Sequence, residues 1–222
     1  MKFIVNNGKP FARPPHFTRR LLVMIIGVVM MALGLSILIR IDFGTDPCSA
    51  LTLGIVSRTG ISFGTCQLLC HLVTFIFVIR YDLSKIGFGT IGNMCFMGYI
   101  SDFFSWVWEK TLPATLFEQT ASRYVLLAVS LTVFTLGVSL YVSSGLGASP
   151  YDVLPQIISD HIKKVPFTVI RIAWDGAFML GAFLLGGPIG LLTILLVLFL
   201  GPVIGFTSGK INRLFEDKTV SQ

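Results

Sequence analysis

Residues 21–47 read LLVMIIGVVMMALGLSILIRIDFGTDP and join a long apolar run to a Gly-Thr-Asp-Pro turn. The apolar part, residues 21–39, is 19 residues long and has Ser36 as its only polar side chain. About 20 apolar residues in a helix are enough to cross the ~30 Å hydrocarbon core of a bilayer. An open strand could not satisfy its backbone polar groups in lipid, so we expect a transmembrane helix here.

Five more apolar runs follow, and together the six runs occupy most of the chain. We place them at residues 61–79, 86–108, 124–142, 167–185 and 188–207. Of all residues, 54% are apolar and 13% are charged, whereas soluble domains contain about 25% charged residues. The composition therefore predicts an all-α membrane protein with six transmembrane helices. It leaves no room for a separate soluble enzyme domain.

The sequence is duplicated at an offset of 103 residues. This offset aligns Gly34, Ser36, Gly44, Pro47, Gly87 and Thr90 with Gly137, Ser139, Gly147, Pro150, Gly190 and Thr193. Three spans in each copy would make the second copy enter the membrane from the opposite side, as in transporters built from inverted repeats. We predict two inverted three-helix repeats, a first copy at residues 21–108 and a second copy at residues 124–208, with an external loop at 109–123.

Each copy also contains a short helix that begins at a Gly-x-x-Pro elbow. The elbow residues are Gly44, Asp46 and Pro47 in the first copy, and Gly147, Ser149 and Pro150 in the second copy. The acid and the serine are good N-caps, the prolines suit the first helical position, and the glycines permit a sharp reversal. Twelve helical residues span about 18 Å, too short to cross the bilayer. Two interpretations are open: a capped helix at the membrane interface, or an N-terminus that forms an anion site.

Polar side chains at membrane depth are the candidate binding residues, because such groups are costly unless they are paired or face a cavity. On the fifth span, Arg171 and Asp175 are four residues apart on one helix face. Gln67 and His71 occupy the corresponding positions of the second span at an offset of 104. Thr90, Asn93, Asp102 and Thr193 extend this polar set, with Asp102 near the outer end of its span. The groups either lock helices together or line a central cavity, and we select Arg171, Asp175, Gln67, His71 and Asn93 as candidate substrate-binding residues.

Other kinds of chemistry find little support in the sequence. Cys48, Cys66, Cys70 and Cys95 fall in apolar or span-edge stretches, which is typical of buried free thiols. No nucleophile–base pair, phosphate loop or metal-ligand spacing stands out, so we expect no enzyme activity, no cofactor and no metal. The net charge of +6 includes five Lys and Arg before the first span, which indicates membrane topology and not a nucleic-acid partner.

The distribution of positive charge predicts the orientation. With the N-terminus inside the cell, twelve Lys and Arg fall in cytoplasmic segments and four fall outside, at Arg40, Arg58, Lys110 and Arg123. Lys and Arg near the ends of spans resist translocation. We therefore expect a basic cytoplasmic segment at residues 1–20 and a cytoplasmic C-terminal tail at residues 209–222.

The repeated pattern of span, Gly-x-x-Pro elbow, short helix and Ile-Gly-x-x-Thr helix is carried by residues 44–47 and 86–90. This pattern resembles the YczE/YyaS/YitT-like bacterial membrane proteins over roughly residues 20–208. The resemblance implies a small multi-spanning protein of the bacterial plasma membrane, and it implies no particular substrate or binding residue.

Our functional hypothesis is a small secondary transporter or permease, favoured by the repeats, the elbows and the intramembrane charges. Its partners would be the lipid bilayer and a small solute, which would be an anion if the elbows bind it. A homo-oligomer is compatible with the sequence. The alternative is a non-transporting scaffold or regulator that binds a partner protein.

Overall fold

The computed structural model describes residues 10–198, and these residues form helices joined by short connections. The helices are α1 (Phe17–Ile41), α2 (Pro47–Thr59), α3 (Phe63–Tyr81), α4 (Phe88–Thr111), α5 (Thr115–Glu118), α6 (Thr120–Ser143), α7 (Pro150–His161) and α8 (Phe167–Leu185). Residues 191–198 are also helical. Since no strand occurs within residues 10–198, the all-α expectation is confirmed for this part of the chain.

Four of these helices, α1, α3, α6 and α8, are long and apolar enough to cross a membrane. Helix α4 has 24 residues, but Asn93 and Asp102 make it less apolar than those four. The sixth predicted span, residues 188–207, extends beyond the described residues. The six-span arrangement therefore stays a prediction.

Helix α1 begins at Phe17, four residues before the predicted start of its span. Arg19 and Arg20, which precede the apolar run, therefore lie in the first turn of this helix. Arg20 Nε donates to Pro15 O at 3.0 Å, and Arg20 Nη1 donates to Ser144 O at 3.0 Å. These bonds tie the start of α1 to the end of α6.

Helices α1 and α6 form the most extensive helix pair of the bundle. A Cβ added at Gly27 would lie 2.6 Å from Tyr141 N and 2.8 Å from Gly137 O. A Cβ added at Gly34 would lie 2.8 Å from both Phe134 N and Ser130 O. Small residues let helix backbones approach closely, which favours helix association in membranes. These two contacts are equivalent by the repeat, because the offset of 103 residues aligns residue 27 with residue 130 and residue 34 with residue 137.

Each elbow packs against the start of a helix in the other copy. Gly44 and Gly147 have φ values of +100° and +109°, a region that favours glycine. A Cβ at Gly44 would lie 2.5 Å from Thr193 Oγ1, and one at Gly147 would lie 2.6 Å from Thr90 Oγ1. Thr90 Oγ1 accepts a hydrogen bond from Gly87 N at 3.1 Å, and the second copy has the corresponding bond at 3.3 Å. The elbow contacts are thus reciprocal between the copies.

The short helices are also exchanged between the copies, because α2 packs against α8 and α7 packs against α3. Along α7, Tyr151, Leu154 and Ile157 are buried, and exposed residues begin only in its last turn, at Asp160. The helical spacing of apolar residues in α7 therefore reflects packing between protein helices. A position flat on the bilayer surface would have left one side of these turns uncovered.

A side chain at position 137 would fill the close contact between α1 and α6 and should destabilise the fold. A side chain in the variant Gly137→Leu would meet Met31 N at 2.6 Å from its Cβ, and overpacking against backbone costs at least ~2 kcal/mol. We expect a several-fold smaller monodisperse peak in fluorescence-detected size exclusion. Gly176→Leu is the matched control, because nothing lies within 4 Å of a Cβ on this α8 residue. Equal peaks for the two variants would contradict the close approach of α1 and α6.

Candidate functional site

A cavity of about 450 Å³ lies where the N-termini of α2 and α7 approach the long helices. This volume falls in the range of small-molecule binding sites. Among the described residues, the polar side chains that line it are those of Asp46, Ser49, Gln67, His71, Asn93, Ser149, Tyr151, Asp152, Thr168, Arg171 and Asp175. All five candidate substrate-binding residues thus lie at one cavity, together with the two N-cap residues of the short helices.

Both short helices direct their capped N-termini to this cavity. Asp46 Oδ1 accepts a hydrogen bond from Ser49 N at 3.1 Å, and Ser149 Oγ accepts one from Asp152 N at 3.3 Å. The acid and the hydroxyl occupy opposite positions in the two copies, since Asp46 corresponds to Ser149 and Ser49 to Asp152. Pro47 also lines the cavity, whereas Pro150, Gly44 and Gly147 lie beside it in the elbows.

In the second copy, Arg171 bridges two carboxylates. Its Nη1 donates to Asp152 Oδ1 at 2.8 Å, and its Nε donates to Asp175 Oδ2 at 3.0 Å. The Tyr151 hydroxyl donates to the other oxygen of Asp175, and the guanidinium lies over the Tyr151 ring at 5.1 Å. Ser149 Oγ donates to Asp152 Oδ2 at 2.7 Å. Each carboxylate oxygen of Asp152 and Asp175 therefore accepts a hydrogen bond, and the two carboxylates share one guanidinium.

The corresponding positions of the first copy are less completely paired. Gln67 Nε2 and Asn93 Nδ2 both approach the sulfur of Met97, at 3.7 and 3.8 Å, which is a weak acceptor. Asp46 Oδ2, Ser49 Oγ and His71 Nδ1 are buried, and none of them has a hydrogen-bond partner in the described part of the chain. Buried polar groups are normally paired. An added polar group would therefore gain most from the first-copy side of the cavity.

Sequence reasoning did not select Tyr151 and Asp152, which complete the network of Arg171. The signal that could have found Asp152 is its spacing of three residues from Ser149, the pattern of a capping box. Tyr151 follows Pro150 directly and carried no comparable signal. Its role depends on the packing of α7 beside α8.

Three other polar residues do not line the cavity. Thr90 and Thr193 accept hydrogen bonds at the starts of their helices, as described above. The Asp102 carboxylate accepts from Gly64 N at 2.8 Å and so links α4 to the start of α3. Among residues 10–198, no three His, Cys, Asp or Glu side chains are grouped so that they could hold a metal ion.

The chain is similar to three bacterial proteins, one of which is described as a membrane protein. It is 28% identical over 82% of its length to the Bacillus subtilis protein described as "Uncharacterized membrane protein YczE", and covers 81% of that protein. It is 24% identical over 87% of its length to "Uncharacterized protein YyaS" of the same organism, and covers 94% of it. A Haemophilus influenzae protein is 26% identical over 86% of the chain and 84% of its own length. No solved structure matches the chain.

These relatives confirm the resemblance predicted from the repeated elbow pattern, and together with the apolar helices they support a membrane protein. A family model described as a family of unknown function, DUF6198, matches residues 18–209. Because this match covers most of the sequence, from the start of α1 past the end of the described residues, the chain belongs to the DUF6198 family.

Proposed function

We propose that the protein is a small secondary transporter of the bacterial plasma membrane and that the cavity is its substrate site. The observation that carries this proposal is the composition of the cavity wall. Arg171 and Asp175 line it from the second copy, and Gln67 and His71 line it from the corresponding positions of the first copy. In transporters built from inverted repeats, the substrate site lies at the interface of the repeats, beside the N-termini of short helices.

The two copies would be related by a half-turn about an axis in the membrane plane, within a bundle of six spans. Reciprocal contacts support this symmetry. The contact of Gly27 with Gly137 is equivalent by the repeat to the contact of Gly34 with Ser130, and each elbow contacts the start of a helix in the other copy. Alternating access would then follow from rocking one set of helices against the other around the cavity.

The proposed orientation has both termini in the cytoplasm, supported by twelve Lys and Arg inside against four outside. Cysteines introduced singly at Lys110 and Lys218 in a cysteine-free background test it. An impermeant thiol reagent added to intact cells should label the Lys110→Cys protein and should leave the Lys218→Cys protein unlabelled until the membrane is opened. The reverse pattern would contradict the orientation.

A scaffold or regulator is the second candidate, and the Arg171 network favours it. Arg171 on α8 reaches Asp152 on α7, so the same bonds could hold two helices together without any solute. The two functions differ in what neutralising the network would do. A lock between helices can be replaced by neutral side chains that fill the same space, whereas a substrate site needs the charges.

A neutral variant that keeps the shape separates these functions. In Asp152→Asn, Arg171→Met and Asp175→Asn combined, the amides can still accept from Ser149 and Tyr151, so we expect near wild-type abundance. Arg171→Met alone leaves two carboxylates unpaired, costs about 3 kcal/mol, and should lower abundance several-fold in size exclusion. Lys85→Met with Asp160→Asn is the matched control, because it neutralises an ion pair outside the cavity.

Untargeted comparison of small solutes then tests transport in cells that overproduce each variant. The wild type and the Lys85/Asp160 control should change the level of the same solute at least twofold. The neutral triple variant should match cells without the protein, and uptake of that solute into proteoliposomes should follow the same order. If the triple variant folds and changes the solute level as much as the wild type does, the cavity is not part of the transport path. No solute change in any strain, with a co-purifying partner protein, would favour the scaffold.

A further inference from the structure

We propose that the cavity binds a small organic cation, an ammonium compound with an apolar body, and that its ammonium group lies at Asp46. This inference rests on the proposed function, because it names the class of solute that would occupy the substrate site. It differs from the anion expected from the elbows alone, for reasons that lie in the side chains around them.

The first reason is the balance of charge at the cavity. Among the described residues, three carboxylates line it, those of Asp46, Asp152 and Asp175, against one guanidinium, that of Arg171. Arg171 is engaged by Asp152 and Asp175, at 2.8 and 3.0 Å. Asp46 therefore has no cationic partner among the described residues. A carboxylate in a water-poor site is costly without a counter-charge, and a bound cation would supply one.

The second reason is a set of unpaired atoms at the same cavity. Ser49 and His71 are 1% and 3% exposed, and both line the cavity. In the described residues, Ser49 Oγ and His71 Nδ1 have no hydrogen-bond partner, and neither does Asp46 Oδ2. A hydroxyl oxygen, an imidazole nitrogen and a carboxylate oxygen can all accept from an ammonium group, which has three N–H donors. The first-copy side thus offers acceptors to a donor-rich cation.

The N-terminus of α2 stabilises the Asp46 carboxylate only in part, through one hydrogen bond from Ser49 N to Oδ1. Backbone N–H groups at both elbows are already engaged by the side chains of Asp46 and Ser149, so the donors that would bind an anion are in part occupied. An anion at this position would also meet the Asp46 carboxylate directly. The charge complementarity of the site therefore favours the opposite sign.

The walls of the cavity define the rest of the ligand. They are largely apolar, formed by Met31, Met97, Phe134, Val138, Val142 and Ile172. A body of one aromatic ring with a short alkyl chain can bury its surface against these side chains, and methionine adapts well to such shapes. The predicted ligand class is therefore an arylalkyl or alkyl ammonium.

Thermal unfolding of the purified full-length protein in detergent tests this class with three matched probes at constant ionic strength. The probes are 2-phenylethylammonium, 3-phenylpropanoate and 2-phenylethanol. We expect the ammonium probe alone to raise Tm in a saturable way. An equal or larger shift with the alcohol or the carboxylate would overturn the proposal.

Asp46→Asn locates the site, because asparagine caps a helix as well as aspartate does while removing the charge. We expect its apparent affinity for 2-phenylethylammonium to fall at least tenfold. Asp42→Asn is the control, since Asp42 is exposed and its φ of 53° is one that asparagine tolerates. Unchanged affinity in a folded Asp46→Asn protein would overturn the assignment to Asp46.

A second measurement needs no variant. Cys48 lines the cavity next to Asp46, whereas Cys95 does not line it. Bound 2-phenylethylammonium should slow alkylation of Cys48 several-fold, as followed by mass spectrometry, and should leave Cys95 unchanged. Equal rates at Cys48 with and without the probe would overturn the proposal.

The two proposals fail in different ways. Binding of the ammonium probe without any solute flux in proteoliposomes would contradict the transporter and support the ligand class. Flux of an anion that the Asp46→Asn variant carries equally well would contradict the ligand class and support the transporter.

Discussion

A helix of 12 or 13 residues is too short to cross a bilayer, so one of its ends must be satisfied inside the protein. This constraint organises the structure around α2 and α7. Their N-termini are closed by Asp46 and Ser149, and their sides are covered by helices of the opposite copy. The cavity lies where these two capped ends meet the long helices. Removing either elbow would therefore take away a wall of the cavity as well as a local turn.

The short helices, and the helix positions of the polar residues that line the cavity, could be predicted from the sequence, because each depends on local chemistry. Helix ends are marked by glycine, proline and N-cap residues at fixed spacings, and polar side chains four residues apart share one helix face. The partners of these groups could not be predicted in the same way. An offset of 103 residues says that Gly44 corresponds to Gly147, but not that each contacts the helix start of the other copy. The bond from Arg171 to Asp152, 19 residues apart, likewise depends on how α7 packs beside α8.

The burial of α7 illustrates the same limit. Its apolar residues repeat with helical spacing, a pattern that a surface helix and a helix packed on one side share. Only tertiary contacts distinguish the two, and here α3 and α8 cover the first turns of α7. Pro155 lies inside this helix.

The two copies differ in the polar side chains that they bring to the cavity. Arg171 and Asp175 are hydrogen-bonded to each other. At the corresponding positions, Gln67 Oε1 and His71 Nδ1 have no hydrogen-bond partner among the described residues. A duplicated scaffold with one closed and one open polar surface is suited to binding an asymmetric solute, with its polar end toward the first copy. In the proposed transporter, the similarity of the two copies would allow them to rock around the cavity, and their different polar side chains would orient the bound solute.

The central claim is that two inverted copies enclose one substrate cavity, and an experimental structure in a lipid nanodisc tests it most directly. We predict that residues 21–108 superpose on residues 124–208 after a half-turn about an axis in the membrane plane, with Pro47 on Pro150. We also predict that Gln67, His71, Arg171 and Asp175 face the same cavity. Copies that share one orientation, or polar pairs that face separate surfaces, would contradict the account.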